Sequence, residues 1–379
     1  MWLSVHILQL LSSSGFHGAE TMAAELVRQL HGLGVTVDVA VFDNAGRGDR
    51  AILEAAAPHI HDGRVISCRG RVDKSTVATL QEYIAKHRLD LIHSHQFKAT
   101  AYSLLARRRL PCGLVATYHN WLYDTAALRL YAALDKRLAR YCDAAVGVSD
   151  AVAQELRRYV PVDRVRQIGN GVDAQSYRRL MPRAEAKREL GLPADSRLVG
   201  FVGRLSAQKG ISCLLRAIAA LPSALRAAVH LVIAGDGEER CALNDEARTL
   251  GVSDRTHFLG SRSDTPAIYS ALDVFVLPSE QEAFPMVVLE AMACGLPVIA
   301  TDVGDTARIV QDGVSGLVVP PGDVDSLRQA LSQLLQNPDR AGRFGEVGRE
   351  RVVRHFSSTQ MARNYLALYE DLLRSPRRG

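Results

Sequence analysis

The sequence predicts an α/β chain made of two doubly wound parallel-sheet domains in tandem. Three observations predict it. The chain has 379 residues, more than one hydrophobic core usually spans. Short apolar runs alternate with helical patterns in two separate series, as parallel sheets covered on both faces require. Between the two series the alternation pauses.

The first series has strands at "SVHILQLL", "VTVDVAVF", "RVISC", "LDLIHSH", "GLVATYH" and "AAVGVSD". Amphipathic helical patterns at 19–32, 75–87, 98–108, 125–141 and 151–158 separate them. The segment 170–197 carries turn signals and one short helical pattern, and reads as the linker. The second series has strands at "LVGFVGRL", "VHLVIAGDG", "THFLGS", "DVFVLPS", "PVIATDVG" and "SGLVVPPGD". Helical patterns at 323–336, 338–355 and 358–373 end the chain. Ligands of such sheets bind at the C-terminal ends of the strands, so a cleft between the domains is the expected site.

Composition narrows the class. With 47% hydrophobic and 23% charged residues, a mostly disordered chain is excluded. No uninterrupted apolar run reaches about 18 residues, so no membrane span is expected. The N-terminal "WLSVHILQLLSS" has no preceding basic residue and reads as a strand, not a signal peptide. Cys68, Cys112, Cys142, Cys213, Cys241 and Cys294 form no CxxC pair and no Cys/His cluster of zinc spacing. They read mostly as buried thiols in a reducing cytosol. The net charge is +5, and basic residues thicken between Arg107 and Arg188. Such a patch suits an anionic lipid, a phosphorylated substrate or a plain solvated face; no motif points to nucleic acid.

Several stretches carry groups suited to a diphosphate or a sugar. "FVGRLSAQKG" sets Arg204 and Lys209 in a strand-to-helix loop, with Gly203 and Gly210 permitting close backbone approach. "SSSGFHGAET" offers Gly15, Gly18 and a helix N-terminus, without the GxGxxG of a nicotinamide dinucleotide site. His93, His95 and His119 fall near strand ends; His119, before a tryptophan-containing loop, is the strongest of the three. Asp323 and Asp325 form a DxD pair that reads as a helix N-cap in preference to a metal site. In "EQEAFPMVVLEAMACG", Pro285 suits the first turn of a helix. Glu282 then lies in the preceding loop, the amides of Met286 and Val287 are open to an anion, and Glu290 sits inside the helix. Two carboxylates flanking a set of amides match the hydroxyls, phosphates and ribose diol of a nucleotide sugar.

With these residues in place, the chain resembles the family-4 retaining glycosyltransferases of GT-B fold, two Rossmann-like domains facing a central cleft. The match runs from "HGAET" through "NGVD", "GRLSAQKG" and "IAGDG" to "EQEAFPMVVLEAMACGLPVIATDVG" and "DGVSGLVVPPGD". The resemblance implies an acceptor-side domain at 1–175, with 358–379 packing back on it, and a donor domain at 176–357. It implies that Arg204 and Lys209 hold the diphosphate, Glu282 accepts from the donor sugar, and Glu290 binds the ribose. Met286 and Val287 would support sugar and phosphate. Gly260 and Ser261 would lie near the base with Arg262, Gly18 near the phosphates, and His119 by the reacting sugar. His17 stands where many relatives have glycine, which bears on that loop's shape.

The implied donor is UDP- or GDP-linked, with no metal and no further cofactor. The implied acceptor is a glycan or lipid-linked sugar of a cell-surface or extracellular polysaccharide. The helical pattern "TAALRLYAALDKRLARY" sets Leu128, Tyr131, Leu134, Leu138 and Tyr141 near one face. It reads first as a helix docked on its own sheet, and second as a contact with anionic membrane at the inner face. Two other functions remain open at this point, a nucleotide-sugar epimerase and a non-catalytic nucleotide-sugar binder.

Overall fold

The computed structural model describes residues 5–12, 18–44, 50–69, 73–121 and 125–374. Within it the chain divides into two compact units, Met1–Gly171 with Ser358–Gly379, and Val172–Ser357.

The first unit is a seven-stranded parallel sheet. Its strands are β1 (His6–Leu11), β2 (Thr36–Asn44), β3 (Asp62–Cys68), β4 (Leu91–His95), β5 (Gly113–Tyr118), β6 (Ala144–Gly147) and β7 (Val165–Gln167). They lie in the order β3-β2-β1-β4-β5-β6-β7. Six are the expected strands. The seventh, β7, was not expected: it is a three-residue edge strand with one buried position, too short to show a period. The central strands are buried on both faces, which is why they read as unbroken apolar runs. Helix Gly18–Gly32 sends Met22, Leu26 and Leu30 into the core on one side. The C-terminal helix Ser358–Arg374 adds Met361, Tyr365, Leu368 and Tyr369 to that same core.

Helix Ala126–Ala139 departs from the first reading of its apolar stripe. Its inward residues are Ala132, Asp135, Lys136 and Ala139. Leu130, Tyr131 and Leu134 are exposed, as is Tyr141 just beyond the helix. The buried polar pair explains the phase: Asp135 accepts from Trp121 Nε1 at 2.9 Å, and Lys136 Nζ donates to Glu155 at 2.6 Å.

The second unit is a six-stranded parallel sheet, and all six strands are the expected ones. They are β8 (Arg197–Val202), β9 (Val229–Ala234), β10 (Thr256–Gly260), β11 (Val274–Leu277), β12 (Val298–Thr301) and β13 (Leu317–Val319). Their order is β10-β9-β8-β11-β12-β13. The expected linker holds the short helix Arg183–Glu189. Asp323 caps helix Val324–Gln336 by accepting from Ser326 N at 3.0 Å, so the DxD pair is a helix start. Cys68, Cys112, Cys142 and Cys294 are buried free thiols, whereas Cys241 is exposed. No helix among the described residues is long and apolar enough to cross a membrane.

Candidate functional site

In the second unit the candidate residues gather at the C-terminal edge of the sheet. Backbone bonds carry the strand pairing past β8, β9 and β10: Gly203 N donates to Ala234 O (2.9 Å), and Gly235 N to Gly260 O (2.8 Å). The chain then turns out through Arg204, a short 3-10 turn Ala207–Lys209, and helix Ile211–Ala219.

Lys209 Nζ lies 2.5 Å from Glu282 Oε1, so an ammonium and a carboxylate 73 residues apart meet at this edge. Ser279 Oγ donates to the same oxygen at 2.8 Å. Both charged side chains are mostly covered, with side-chain exposures of 25% and 12%. Two glycines let the loops approach this closely. Gly210 has φ +61°, and a Cβ there would stand 2.1 Å from the carbonyl oxygen of Pro278. Gly304 has φ +55°, and a Cβ there would stand 2.3 Å from the carbonyl oxygen of Glu282. Any larger residue at either place would push the Glu282 loop outward.

Arg204 is further out. It is exposed and pairs with the exposed Glu238 at 3.1 Å. Arg262 is likewise exposed and held by Asp264 at 2.5 Å, beside the exposed Ser261. A cavity of about 240 Å³ lined by Ser206, Gly210, Ser212, Glu239 and Glu280 borders the loop from Arg204 to Lys209. A larger one of about 580 Å³ is lined by Arg178, Arg183, Arg197 and Asp273. It opens at the N-terminal ends of β8 and β11, the wrong edge for these groups.

Helix Met286–Ala293 begins one residue later than the sequence suggests. Pro285 is its N-cap, in extended conformation, not its first helical residue. The reason is local: Pro285 supplies the carbonyl that Val288 N reaches at 3.3 Å. Met286 and Val287 therefore hold the first two helical positions, whose amides have no acceptor within the helix. Glu290 is buried within the helix and accepts from Tyr269 Oη at 2.8 Å. Burial pushes its carboxyl up to about 7, while hydrogen bonds from Tyr269 and Tyr177 pull the other way.

In the first unit, His119 follows β5. Its Nε2 is buried without a hydrogen-bond partner, and its ring stacks on His95 at 5.9 Å. Burial draws the imidazole down to about 4, against the opposing pull of the Glu20 carboxylate, so it is neutral at pH 7. His93 and His95 are structural: His93 bridges Thr117 Oγ1 and Tyr369 Oη, both at 2.7 Å, and His95 Nε2 meets Gln9 at 2.8 Å. Gly18 is the first residue of its helix, and a Cβ there would meet nothing within 4 Å. Gly15 and His17 lie outside the described residues.

Residues 182–351 match the family model Glycosyl transferases group 1, and residues 16–176 match Glycosyltransferase Family 4. A D-inositol 3-phosphate glycosyltransferase from Saccharomonospora viridis is 34% identical over 305 residues, 75% of this chain and 70% of that protein. The chain belongs to the family-4 glycosyltransferases. The N-acetyl-alpha-D-glucosaminyl L-malate synthase of Bacillus anthracis is another relative of this glycosyltransferase, 28% identical and aligned over 81% of each chain. Among solved structures, Anabaena HepE in complex with UDP and glucose superposes with a TM-score of 0.85 at 23% identity. That superposition covers 97% of this chain and 100% of HepE, and the fold is GT-B.

The candidate site holds residues that no sequence pattern marks. Ser279 and Gly304 set Glu282, and Tyr177 and Tyr269 set Glu290. A serine or tyrosine far along the chain gives no signal of such a role. The two glycines flanking Lys209 did give one, because a left-handed turn beside a cation is a recurrent anion loop.

Proposed function

We propose that this glycosyltransferase moves a sugar, with retention of configuration, from a nucleoside-diphosphate donor to a glycan or lipid-linked acceptor. The observation that carries the reading is the meeting of Lys209 and Glu282 beside the open amides of Met286 and Val287. A cation and helix N-terminal amides suit the leaving diphosphate, and a carboxylate beside them suits the hydroxyls of the sugar. Arg204 lies on the same loop and adds a second cation on the solvent side. Glu290 takes the ribose diol. Gly260, Ser261 and Arg262 sit at the end of β10 where the base would lie. His119 and Gly18 are the first unit's candidates, His119 as a neutral imidazole with an unpartnered Nε2. The acceptor attacks the face from which the diphosphate leaves, and the departing phosphate oxygen takes its proton. The charge on that oxygen is met by Lys209 and Arg204, so the reaction proceeds without a metal.

The relatives support donor chemistry more closely than acceptor choice. HepE was solved with UDP and with UDP-glucose. Curated relatives include a lipopolysaccharide core biosynthesis glycosyltransferase of Rhizobium meliloti, 37% identical over 182 residues. These favour a cell-surface or extracellular polysaccharide as the product. The test is to incubate the protein, with no chelator and no added metal, with UDP- and GDP-sugars and a panel of saccharide and lipid-linked acceptors. Expected is a glycoside of the donor's anomeric configuration, with no epimerised donor. An epimerised donor, an inverted product or a requirement for added metal would overturn the reading.

The exposed stripe Leu130, Tyr131 and Leu134, flanked by Arg129 and Arg137, suits a peripheral contact with anionic membrane at its inner face, where a lipid-linked acceptor is presented. The protein is expected to sediment with anionic vesicles at low salt and not with zwitterionic ones, and Leu130→Ser/Leu134→Ser to abolish this. Equal recovery with both vesicle types would remove the proposed contact.

A further inference from the structure

Three histidines and an aspartate meet at the other edge of the first sheet, far along the strands from His119. Asp38 lies in β2 and is fully buried. His6 opens β1, His61 immediately precedes β3, and His87 is the last residue of helix Lys74–His87. Their Asp38 contacts are close: His6 Nε2 to Oδ1 at 3.1 Å, His61 Nδ1 to Oδ1 at 3.0 Å, and His87 Nδ1 to Oδ2 at 3.0 Å. One donor atom from each of the four residues lies within 4.8 Å of all the others.

We propose that His6, Asp38, His61 and His87 form a binding site for one divalent ion of the zinc class, tying together the N-terminal ends of β1, β2 and β3. Donors about 2.0–2.1 Å from a tetrahedral ion stand about 3.3 Å from one another, near the 3.1 and 3.0 Å from His6 and His61 to Asp38 Oδ1, within a set that spans at most 4.8 Å. Imidazole nitrogen with one carboxylate oxygen is a zinc-type donor set, and four donors complete a structural site.

Hydrogen bonding alone accounts less well for the cluster. His6 Nε2 is buried and makes no hydrogen bond although Asp38 Oδ1 is 3.1 Å away, so that nitrogen is not aimed along the line to the oxygen. A nitrogen pointing at a shared centre between the donors has that geometry. Asp38 also shares one hydroxyl with a second carboxylate, Asp62. Tyr83 Oη reaches Asp38 at 3.0 Å and Asp62 at 2.8 Å, but one hydroxyl has one proton to donate. Asp90 is engaged with the backbone N–H of His6 at 2.9 Å. Arg64 stands over the Tyr83 ring, 5.7 Å from its centroid. A bound cation would balance the buried Asp38.

Tyr83 is built as a support for such a site. It donates toward the Asp38 oxygen that faces His87, and its ring stacks on His87 at 4.1 Å, fixing both ligands. His61 is the exposed member, at 58%, and gives the ion a way in.

The test uses the full chain, stripped with chelator, dialysed against Zn²⁺ and analysed for bound metal. Expected is one equivalent of zinc and a higher melting temperature than the stripped protein. Co²⁺ in its place should give the visible absorption of a four-coordinate centre. His61→Gln, a change at an exposed position, and His87→Gln should each lose the bound ion. His257→Gln should keep it; that residue stacks with His230 in the second unit, where the ring nitrogens lie 2.8 Å apart. Wild-type protein that retains no ion overturns the proposal, and so does retention by both the His61 and His87 variants.

Discussion

Lys209→Ala is expected to lower kcat/KM for sugar transfer by about 10²–10³, the usual cost of removing one preorganised donor that meets developing charge. The loss should fall mainly on kcat, because charge on the leaving diphosphate is greater in the transition state than in the bound donor. Glu282→Ala should cost a similar factor through the sugar. Lys209 and Glu282 touch at 2.5 Å, so the double variant should lose less than the product of the two single losses. A purely structural ion pair would behave differently. Removing it would lower the melting temperature and leave transfer by the folded protein intact. The pair keeps some solvent contact, with side-chain exposures of 25% and 12%, so each single variant should melt within a few degrees of the parent. Steady-state kinetics beside thermal melts separate the two cases, and near-normal transfer by both folded single variants would defeat the assignment.

The fold was legible because the inner strands of the second sheet, β8, β9, β11 and β12, are mostly apolar and buried, the pattern that coverage of both faces imposes, while the half-buried edge strand β10 is still bounded by turns. What escaped was β7, whose three residues at a sheet edge include one buried side chain. The phase of helix Ala126–Ala139 escaped for another reason. Periodicity finds a stripe, but it does not say which side faces inward when the inner side carries a satisfied polar set. Asp135 and Lys136 look like surface residues until Trp121 and Glu155 are placed beside them.

The positions of Lys209, Glu282 and Glu290 could be read from chain spacing, since each follows from a strand, a loop and a helix in succession. Their partners could not. Tyr269 and Tyr177 meet Glu290 only once the second sheet is folded. The cluster around Asp38 is the extreme case: its four residues come from four separate stretches of the chain, so no local spacing marks it as a possible metal site.

Glu290 carries the second large effect, on donor binding. In the free protein its carboxyl titrates near 7, raised from an ordinary 4.5 by burial. A ribose diol that donates two hydrogen bonds favours the charged form and lowers that value. Donor binding below about pH 7 should therefore expel a proton, and affinity should rise as pH climbs through this window and then level off. The folding sign is opposite. A carboxyl whose folded value is raised gives stability that is fully present below about 4.5 and is lost as pH rises through about 7. The donor then offsets a cost that the free protein carries at neutral pH.

Calorimetry with a UDP- or GDP-sugar, whose diphosphate is esterified at both ends and has no group titrating near pH 7, in buffers of different ionisation enthalpy measures the released proton directly. Glu290→Gln should weaken binding by about 10- to 100-fold, the loss of one or two charge-assisted hydrogen bonds, and should abolish proton release. A nucleotide sugar lacking the ribose hydroxyls should bind the parent weakly and release no proton. Tyr269→Phe removes a hydrogen bond that holds the carboxyl down, so its window should move to higher pH. Binding enthalpies that do not depend on buffer at pH 6.5 would show that Glu290 stays in one protonation state, and its contact with the ribose would have to be abandoned.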